Sequence, residues 1–166
     1  MGIADAVRSR PHIRLRVARE DDLEAMNRLA LRAKAHWGYD EDELARWRDA
    51  IEVRANTVRE WPTFVAEAEG GLVGFVQMNP AQTRWALDAL WVEPDRMGQG
   101  IGRRLLSHAC RMAAAAGQRV LSIDADPNAV AFYVRMGARA VGYVPAPLTN
   151  DPERVRPQFL IETVAS

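Results

Sequence analysis

The sequence has almost no cysteine and almost no lysine. Its single cysteine, Cys110, excludes an internal disulfide and a zinc cluster built on cysteines. The three histidines are scattered without the spacing of metal ligands, so we predict no metal site. Lys34 is the only lysine, and arginine supplies the rest of the basic charge.

The sequence also lacks an excess of charge and a long apolar run. Lys+Arg and Asp+Glu both number 22, which leaves no global positive field for a nucleic acid. No apolar run approaches the roughly 20 residues that a membrane span needs. The N-terminal segment contains arginines but not the apolar core of a signal peptide. We therefore expect a cytoplasmic protein with neither a nucleic-acid nor a membrane partner.

The length and composition favour one domain. A chain of 166 residues with 48% hydrophobic residues can bury a core but does not comfortably form two. No repeat, low-complexity tract or linker interrupts it. We predict a single domain over residues 1–166, in which residues 1–11 form a loose N-terminal extension.

Hydrophobic periodicity predicts the element order βααβββαβαββ, which is typical of a mixed sheet covered by helices. Gly70-Gly71 is the predicted hairpin between the second and third strands. The predicted strands cover residues 12–18, 63–67, 72–78, 85–92, 120–123, 140–144 and 159–164. The predicted helices cover residues 21–38, 42–51, 101–117 and 126–137.

The most informative segment joins the fourth strand to the next helix. It reads Met97-Gly98-Gln99-Gly100-Ile101-Gly102. Alternating glycines let the backbone approach a bulky anion and direct successive N–H groups at it, and the helix N-terminus adds a positive dipole end. A dinucleotide fold would need Gly-x-Gly-x-x-Gly after the first strand, and a P-loop would need a lysine, so neither fits. The segment predicts a pyrophosphate site.

A second segment opens the helix that ends at Gly137. Asp126-Pro127 predicts an N-cap followed by proline at the first helical position. Asn128 falls in the first turn, and Phe132-Tyr133 lies further along the helix. From spacing alone, Tyr133 is a core tyrosine on an apolar stripe.

Together, the glycine segment and the Asn128 to Gly137 segment resemble the GCN5-related N-acetyltransferase (GNAT) superfamily over about residues 16–164. Met97 departs from the family pattern, in which arginine or glutamine is usual, and removes a side-chain contact. The resemblance implies an α/β (α+β) fold with a mixed, mostly antiparallel sheet of six or seven strands. About four helices would flank this sheet, which would splay at the fourth and fifth strands.

The resemblance also implies roles for individual residues. It makes Tyr133 the candidate to protonate the departing thiolate of coenzyme A (CoA). Asp88 becomes the candidate base, although a carboxylate paired with an arginine across the sheet is the structural alternative. The residues that would bind acetyl-CoA, the implied acyl donor, are Leu90, Trp91, Val92, Met97, Gly98, Gln99, Gly100, Ile101, Gly102, Arg103 and Asn128.

Trp37 and Tyr39 lie where the family builds part of its acceptor pocket, so we predict that they bind the substrate. Trp37 also completes the apolar stripe of the first helix, which favours core packing as its alternative role. By alternation, Asp88 would share a strand face with Leu90 and Val92 unless a bulge intervenes.

The expected activity is acetyl transfer from acetyl-CoA to a primary amine of a small molecule, without a metal. A protein or peptide N-acetyltransferase is one alternative, and it predicts an open groove at the acceptor site. A non-catalytic acyl-CoA sensor is another. Edge strands near the C-terminus leave a homodimer open.

Overall fold

The structure is a computed structural model that describes residues 12–164; the predicted N-terminal extension lies outside that range. The strands are β1 Arg14–Val17, β2 Thr63–Ala68, β3 Gly71–Asn79, β4 Ala86–Val92, β5 Val120–Asp124, β6 Arg139–Pro145 and β7 Val155–Glu162. The helices are α1 Leu23–His36, α2 Glu41–Ile51, α3 Ala55–Glu60, α4 Ile101–Ala115 and α5 Val130–Arg135. Short 3₁₀ turns precede α1, α4 and α5.

The seven strands form one sheet in the order β1-β2-β3-β4-β5-β7-β6. Every neighbouring pair is antiparallel except β4 and β5, which run parallel. This architecture confirms the predicted fold class. The six-residue helix α3 is an addition, because about four helices are predicted from the sequence and residues 12–164 form five.

Helices cover both faces of the sheet. The buried face of α1 carries Met26, Leu29, Ala30 and Ala33, which keep the helical i, i+3, i+4, i+7 spacing. On the opposite face, α4 buries apolar residues with the same period from Ile101 onwards. Since both faces are covered, β3 is buried along most of its length, unlike a strand with one solvated face.

The hairpin between β2 and β3 differs from the prediction by one residue. Glu69 and Gly70 form the turn, with φ values of 53° and 80°, and Gly71 already pairs with Ala68. Two consecutive positive φ angles fit a two-residue type I′ hairpin, which usually takes asparagine, aspartate or glycine at its first central position. A glutamate there gave no sequence signal.

Candidate active site

A cavity of about 730 Å³ lies where β4 separates from β5. The two strands pair at Ala86↔Ser122 and Leu87↔Ile123, and β4 has no β5 partner beyond Leu87. The splay predicted at the fourth and fifth strands is therefore present. The cavity is also lined by parts of α1, α2, α5 and β7, and by the loop that precedes α4.

The splay leaves backbone donors of β4 facing the gap. The N–H of Glu93 donates to Val73 on β3, with N and O 2.9 Å apart. Successive N–H groups of a strand point to opposite sides, so the N–H groups of Leu90 and Val92 point away from β3. An extended ligand can therefore add to this edge of β4 in the manner of a short strand.

A β-bulge places Asp88 at the start of the gap. Gln77 pairs with Ala89 and Met78 pairs with Leu87, so Asp88 has no counterpart on β3. The bulge overrides the simple alternation that would group Asp88 with Leu90 on one face. Leu90 packs instead in the same core cluster as Leu87.

The Asp88 carboxylate is exposed in the cavity wall and has neither an ion-pair nor a hydrogen-bond partner within residues 12–164. Partial desolvation by the surrounding protein raises the pKa of this carboxyl above the ordinary value of 3.8. The structural alternative, an arginine paired across the sheet, is absent from the described part of the chain. An unpaired carboxylate beside an open strand edge is suited to holding an amine or accepting its proton.

The loop before α4 forms an anion cradle, which we define as the six backbone N–H groups of residues 98–103. Gly98 and Gly100 have φ values of 78° and 82°, a backbone conformation that residues other than glycine rarely adopt. In the described structure, none of the six N–H groups donates to a protein acceptor. The exposed Arg103 lines the cavity beside them. Such a cradle matches the phosphates of a nucleotide.

Gly102 serves a different purpose from the other glycines of the loop. Its backbone is helical, and a Cβ atom there would lie 3.3 Å from the Phe132 ring. The third glycine therefore lets the start of α4 approach α5, which carries Tyr133. Arg104, which follows in the same turn, donates to the carbonyl oxygen of Ile13 at 2.7 Å and so has a structural role.

Tyr133 lies on the cavity wall and is 7% exposed. Its hydroxyl has no hydrogen-bond partner among the described residues. Burial raises the pKa of this phenol well above its usual range, and the nearby Arg156 charge opposes the rise. The hydroxyl therefore stays protonated and is available as a hydrogen-bond donor to a group that enters the cavity.

Asp126, which the sequence predicted only as a helix cap, is the centre of a partly buried polar network. Its carboxylate accepts from Lys34 Nζ at 2.6 Å, from the Tyr39 hydroxyl at 2.9 Å and from Asn128 Nδ2 at 2.9 Å. Burial alone would raise the pKa of Asp126, but these donors and the Lys34 charge hold it below 3.8. Arg154 completes the network by donating to the Tyr39 hydroxyl at 2.9 Å.

Tyr39, one of the two predicted substrate contacts, takes part in this network. Its ring stacks edge-on against Trp47, with centroids 4.7 Å apart, and its hydroxyl is taken up by Asp126 and Arg154. It does not appear among the residues that line the cavity. Trp37 does line the cavity, and Trp47, which the sequence reading did not single out, lines it from α2.

The cavity brings together most of the predicted site. Asn128 lines the wall, although its amide nitrogen already donates to Asp126 and to Tyr39, and Gln99 lies outside the lining. The predicted residues on the wall are Trp37, Asp88, Leu90, Trp91, Val92, Met97, Gly98, Gly100, Ile101, Gly102, Arg103, Asn128 and Tyr133.

The residues that sequence reasoning missed are mostly charged or aromatic side chains on the acceptor side. Lys34 carried a signal, because a lone lysine inside the apolar stripe of a helix needs a buried partner. Arg154, Arg156 and Trp47 carried none, since their proximity to the site depends on tertiary contacts. No group of three His, Cys, Asp or Glu side chains within residues 12–164 is placed to hold a metal ion.

Comparison with known proteins agrees with this geometry. The model of the acetyltransferase (GNAT) family matches residues 23–138. The chain belongs to that family. The resemblance read from the two motifs is thereby confirmed, together with the predicted enzyme class, an N-acetyltransferase.

One relative in sequence is the peptidyl-lysine N-acetyltransferase YjaB of Salmonella typhimurium. It is 39% identical over 56 residues, which make up 34% of this chain and 37% of the relative. The matched segment thus spans little more than a third of that relative's length.

Solved structures of GNAT proteins share the fold. A GCN5-related N-acetyltransferase of Rhodopseudomonas palustris superposes with a TM-score of 0.74 at 21% identity, covering 93% of this chain and 96% of that one. PaiA N-acetyltransferase of Thermoplasma acidophilum, in complex with CoA, gives 0.73 at 16% identity, covering 91% and 99%. Similar structures hold CoA or acetyl-CoA, which agrees with acetyl-CoA as the donor.

The described part of the chain contains no helix with both the length and the apolar character to cross a bilayer.

Proposed function

We propose that this GNAT protein transfers an acetyl group from acetyl-CoA directly to a primary amine of a small molecule. One observation carries the proposal: the unpaired carboxylate of Asp88 and the anion cradle of residues 98–103 open into the same cavity. The cradle binds the phosphates of the acetyl donor, and the carboxylate binds an amine placed beside that donor.

The donor side is built mainly from backbone. Acetyl-CoA supplies a thioester whose carbonyl carbon is open to attack. The cradle N–H groups and Arg103 bind its phosphates, and the free edge of β4 binds its pantetheine arm through N–H groups such as that of Leu90. The Leu90 N–H also faces the place where negative charge develops on the carbonyl oxygen, which favours the transition state.

The acceptor must lose a proton before it can attack. A primary alkylamine has a pKa of about 10.4 and enters as an ammonium ion at neutral pH. Asp88 attracts that ion and takes its proton. The raised pKa of the Asp88 carboxyl narrows the gap to the ammonium, which makes the transfer less unfavourable.

The sulfur of CoA, which is the leaving group, departs next to the Tyr133 hydroxyl. A thiolate is a weaker base than a phenolate, since the thiol has a pKa of about 8.5 and the phenol about 10. Burial widens this difference by raising the pKa of Tyr133. Tyr133 therefore acts first by donating a hydrogen bond to the developing thiolate, which stabilises its negative charge as the C–S bond breaks. The attacking nitrogen gives up its second proton as the amide forms, and that proton neutralises the thiolate to CoA thiol.

The lining of the acceptor side favours a small molecule over a protein segment. Trp37, Trp47 and Ile51 present apolar surface from α1 and α2, and Arg154 and Pro147 line the cavity from the other end of the chain. This arrangement surrounds an acceptor with side chains from several elements. A peptide is the second candidate acceptor, because one relative acts on peptidyl-lysine. The test therefore compares small amines with lysine-containing peptides.

A panel of small primary amines and lysine-containing peptides tests the proposal. Thiol release from acetyl-CoA is measured for each, the acetylated product is identified by mass spectrometry, and CoA binding is measured by calorimetry. We expect turnover with members of the small-amine set. Turnover confined to the peptides would overturn the small-molecule acceptor, and CoA binding without any turnover would identify an acyl-CoA sensor instead.

A further inference from the structure

Arg156, a second charged residue with free hydrogen-bond donors, lines the same cavity as Asp88. It lies on β7, and its guanidinium donates to the backbone carbonyl of Asp124. It makes no ion pair with any described residue. A guanidinium has five N–H donors arranged to fit a carboxylate, so most of its donors remain available.

Two other cations on this side, Lys34 and Arg154, share one carboxylate partner, Asp126. Lys34 is paired with Asp126 and lies over the Trp47 ring, 4.3 Å from its centroid. Arg154 is 9% exposed, lies 3.6 Å from Asp126 and donates to the Ala146 carbonyl at 2.9 Å. The remaining carboxylate on this wall is Asp124. It accepts a hydrogen bond from Gln158 at 3.1 Å and has no ion pair in the described structure.

Strand pairing places Arg156 and Asp88 on either side of the end of β5. Asp88 follows Leu87, which pairs with Ile123 of β5, and Gln158 of β7 pairs with Asp124 on the other edge of β5. Two strands that flank a common neighbour, as β4 and β7 flank β5, lie about 10 Å apart. An arginine side chain is long enough to span much of that distance. The Arg156 charge also acts on the Tyr133 hydroxyl, so it lies close to the reacting groups.

We propose that the acceptor is an amino acid with an apolar side chain. Asp88 would hold its ammonium group, Arg156 would hold its carboxylate, and Trp37 and Trp47 would contact its apolar body. This inference rests on the function proposed above. It also predicts that diamines are poor acceptors, because their second ammonium group would face Arg156.

Matched pairs of amines that differ by one carboxylate test the inference. The pairs are L-phenylalanine with phenethylamine, L-leucine with isoamylamine, and ε-aminocaproate with hexylamine. For the best pair we expect kcat/KM to favour the carboxylate-bearing member by about 10- to 100-fold, the range for hydrogen bonds to charged groups. The preference should appear mainly as a lower KM, because Arg156 binds a group that does not react.

Variants of Arg156 and of an unrelated arginine connect the preference to the residue. Arg156→Gln should abolish the preference, so that kcat/KM becomes equal for the two members of each pair. Arg156→Lys should keep part of it, because the charge remains and the planar fork is lost. Arg139→Gln, on the exposed edge strand β6, should leave the ratio unchanged. Thermal melting and CoA binding check that each variant is folded. If Arg156→Gln does not fold, the inference is tested by comparing the kcat/KM ratio of each pair between the wild type and Arg156→Lys.

The outcomes separate this inference from the proposed function. Equal kcat/KM for the two members of every pair would overturn the amino-acid acceptor and leave the amine acetyltransferase intact. A preference that survives in Arg156→Gln would overturn the assignment of Arg156. Absence of turnover with all members of all pairs would overturn the proposed small-amine activity, and the inference with it.

Discussion

Lys34 and Asp126 form a partly buried ion pair that connects the acceptor side of the cavity to the helix that carries Tyr133. Lys34 Nζ lies 2.6 Å from Asp126 Oδ2, although the residues are 92 positions apart in the chain. The side chains are 11% and 13% exposed. Because Asp126 also caps the turn that leads into α5, the only lysine of the chain holds α1 against the segment that positions Asn128 and Tyr133.

Lys34→Met is expected to destabilise the protein by about 2 kcal/mol, because Asp126 loses its nearest charged hydrogen-bond donor and keeps only the more distant Arg154 as a cationic partner, 3.6 Å away. Methionine retains most of the apolar stem of lysine, so packing against Trp47 changes little. Urea denaturation followed by tryptophan fluorescence measures the change in the free energy of unfolding.

Arg28→Met is the matched control. Arg28 pairs with Glu24 at i, i+4 spacing on the exposed face of the same helix, where such pairs contribute about 0.5 kcal/mol or less. If both variants lose the same small amount of stability, the Lys34–Asp126 pair does not hold α1 in place.

Asp88→Asn should change the shape of the pH profile as well as the rate. If Asp88 takes the proton of a bound ammonium, wild-type log kcat/KM rises through the Asp88 pKa and then stays level up to the amine pKa. The raised pKa of Asp88 places that rise above pH 3.8. The asparagine variant can use only the amine that is already deprotonated in solution, and this fraction rises tenfold per pH unit below the amine pKa. Its log kcat/KM should therefore increase with unit slope up to about pH 10.4.

Near neutral pH we expect the Asp88→Asn rate to be lower by about 10²- to 10⁴-fold, with the difference narrowing as the pH rises. Asp49→Asn, an exposed change on α2, should retain the wild-type profile. Parallel profiles for wild type and Asp88→Asn at every pH would remove Asp88 from the proton transfer.

Tyr133→Phe should separate binding from chemistry. The hydroxyl has no protein partner in the described structure, so its removal leaves the core packing of the ring intact. We expect kcat to fall by about 10²-fold, the usual effect of losing one donor to developing charge. The affinity for CoA should stay within about twofold of wild type, since backbone groups dominate the donor site.

Tyr143→Phe serves as the control for that experiment, because Tyr143 is 69% exposed on β6 and does not line the cavity. Its kcat should match the wild type. A similar kcat for Tyr133→Phe and Tyr143→Phe would mean that the departing sulfur leaves without help from Tyr133.

The donor side could be predicted from sequence because it depends on local signals. Alternating glycines after an apolar strand, and the Asp126 cap followed by proline, determine backbone conformation within a few residues. Positive φ angles at Gly98 and Gly100 are what such a pattern requires. The splay of β4 followed from the resemblance rather than from any local pattern.

The acceptor side could not be predicted to the same extent, because distant residues build it. The bulge at Asp88 depends on how β4 registers against Gln77 and Met78, which no periodicity within β4 reveals. Tyr39 was expected on the cavity wall, but its hydroxyl donates a hydrogen bond to Asp126, which lies 87 positions further along the chain. Side-chain roles that depend on partners so far apart in sequence require the tertiary structure.

Two glycines of nearly identical conformation make the last prediction a matched pair. Gly98 opens the anion cradle with a φ of 78°, and Gly117 follows the far end of α4 with a φ of 85°. A Cβ at either position meets nothing within 4 Å, so alanine would be strained by its backbone alone. Each alanine variant should therefore lose about 1 to 2 kcal/mol of stability.

Only Gly98→Ala should also weaken CoA binding, because the strained loop turns its N–H groups away from the phosphates. We expect the Kd for CoA to rise by about tenfold or more, which corresponds to a loss of about 1.4 kcal/mol of binding free energy. Calorimetry with CoA and thermal melting of the free protein measure the two effects on the same samples. Gly117→Ala corrects for the loss of stability, because it carries the same strain at a site remote from the cradle. Equal CoA affinity in both variants would show that the backbone of residues 98–103 does not hold the phosphates of the donor.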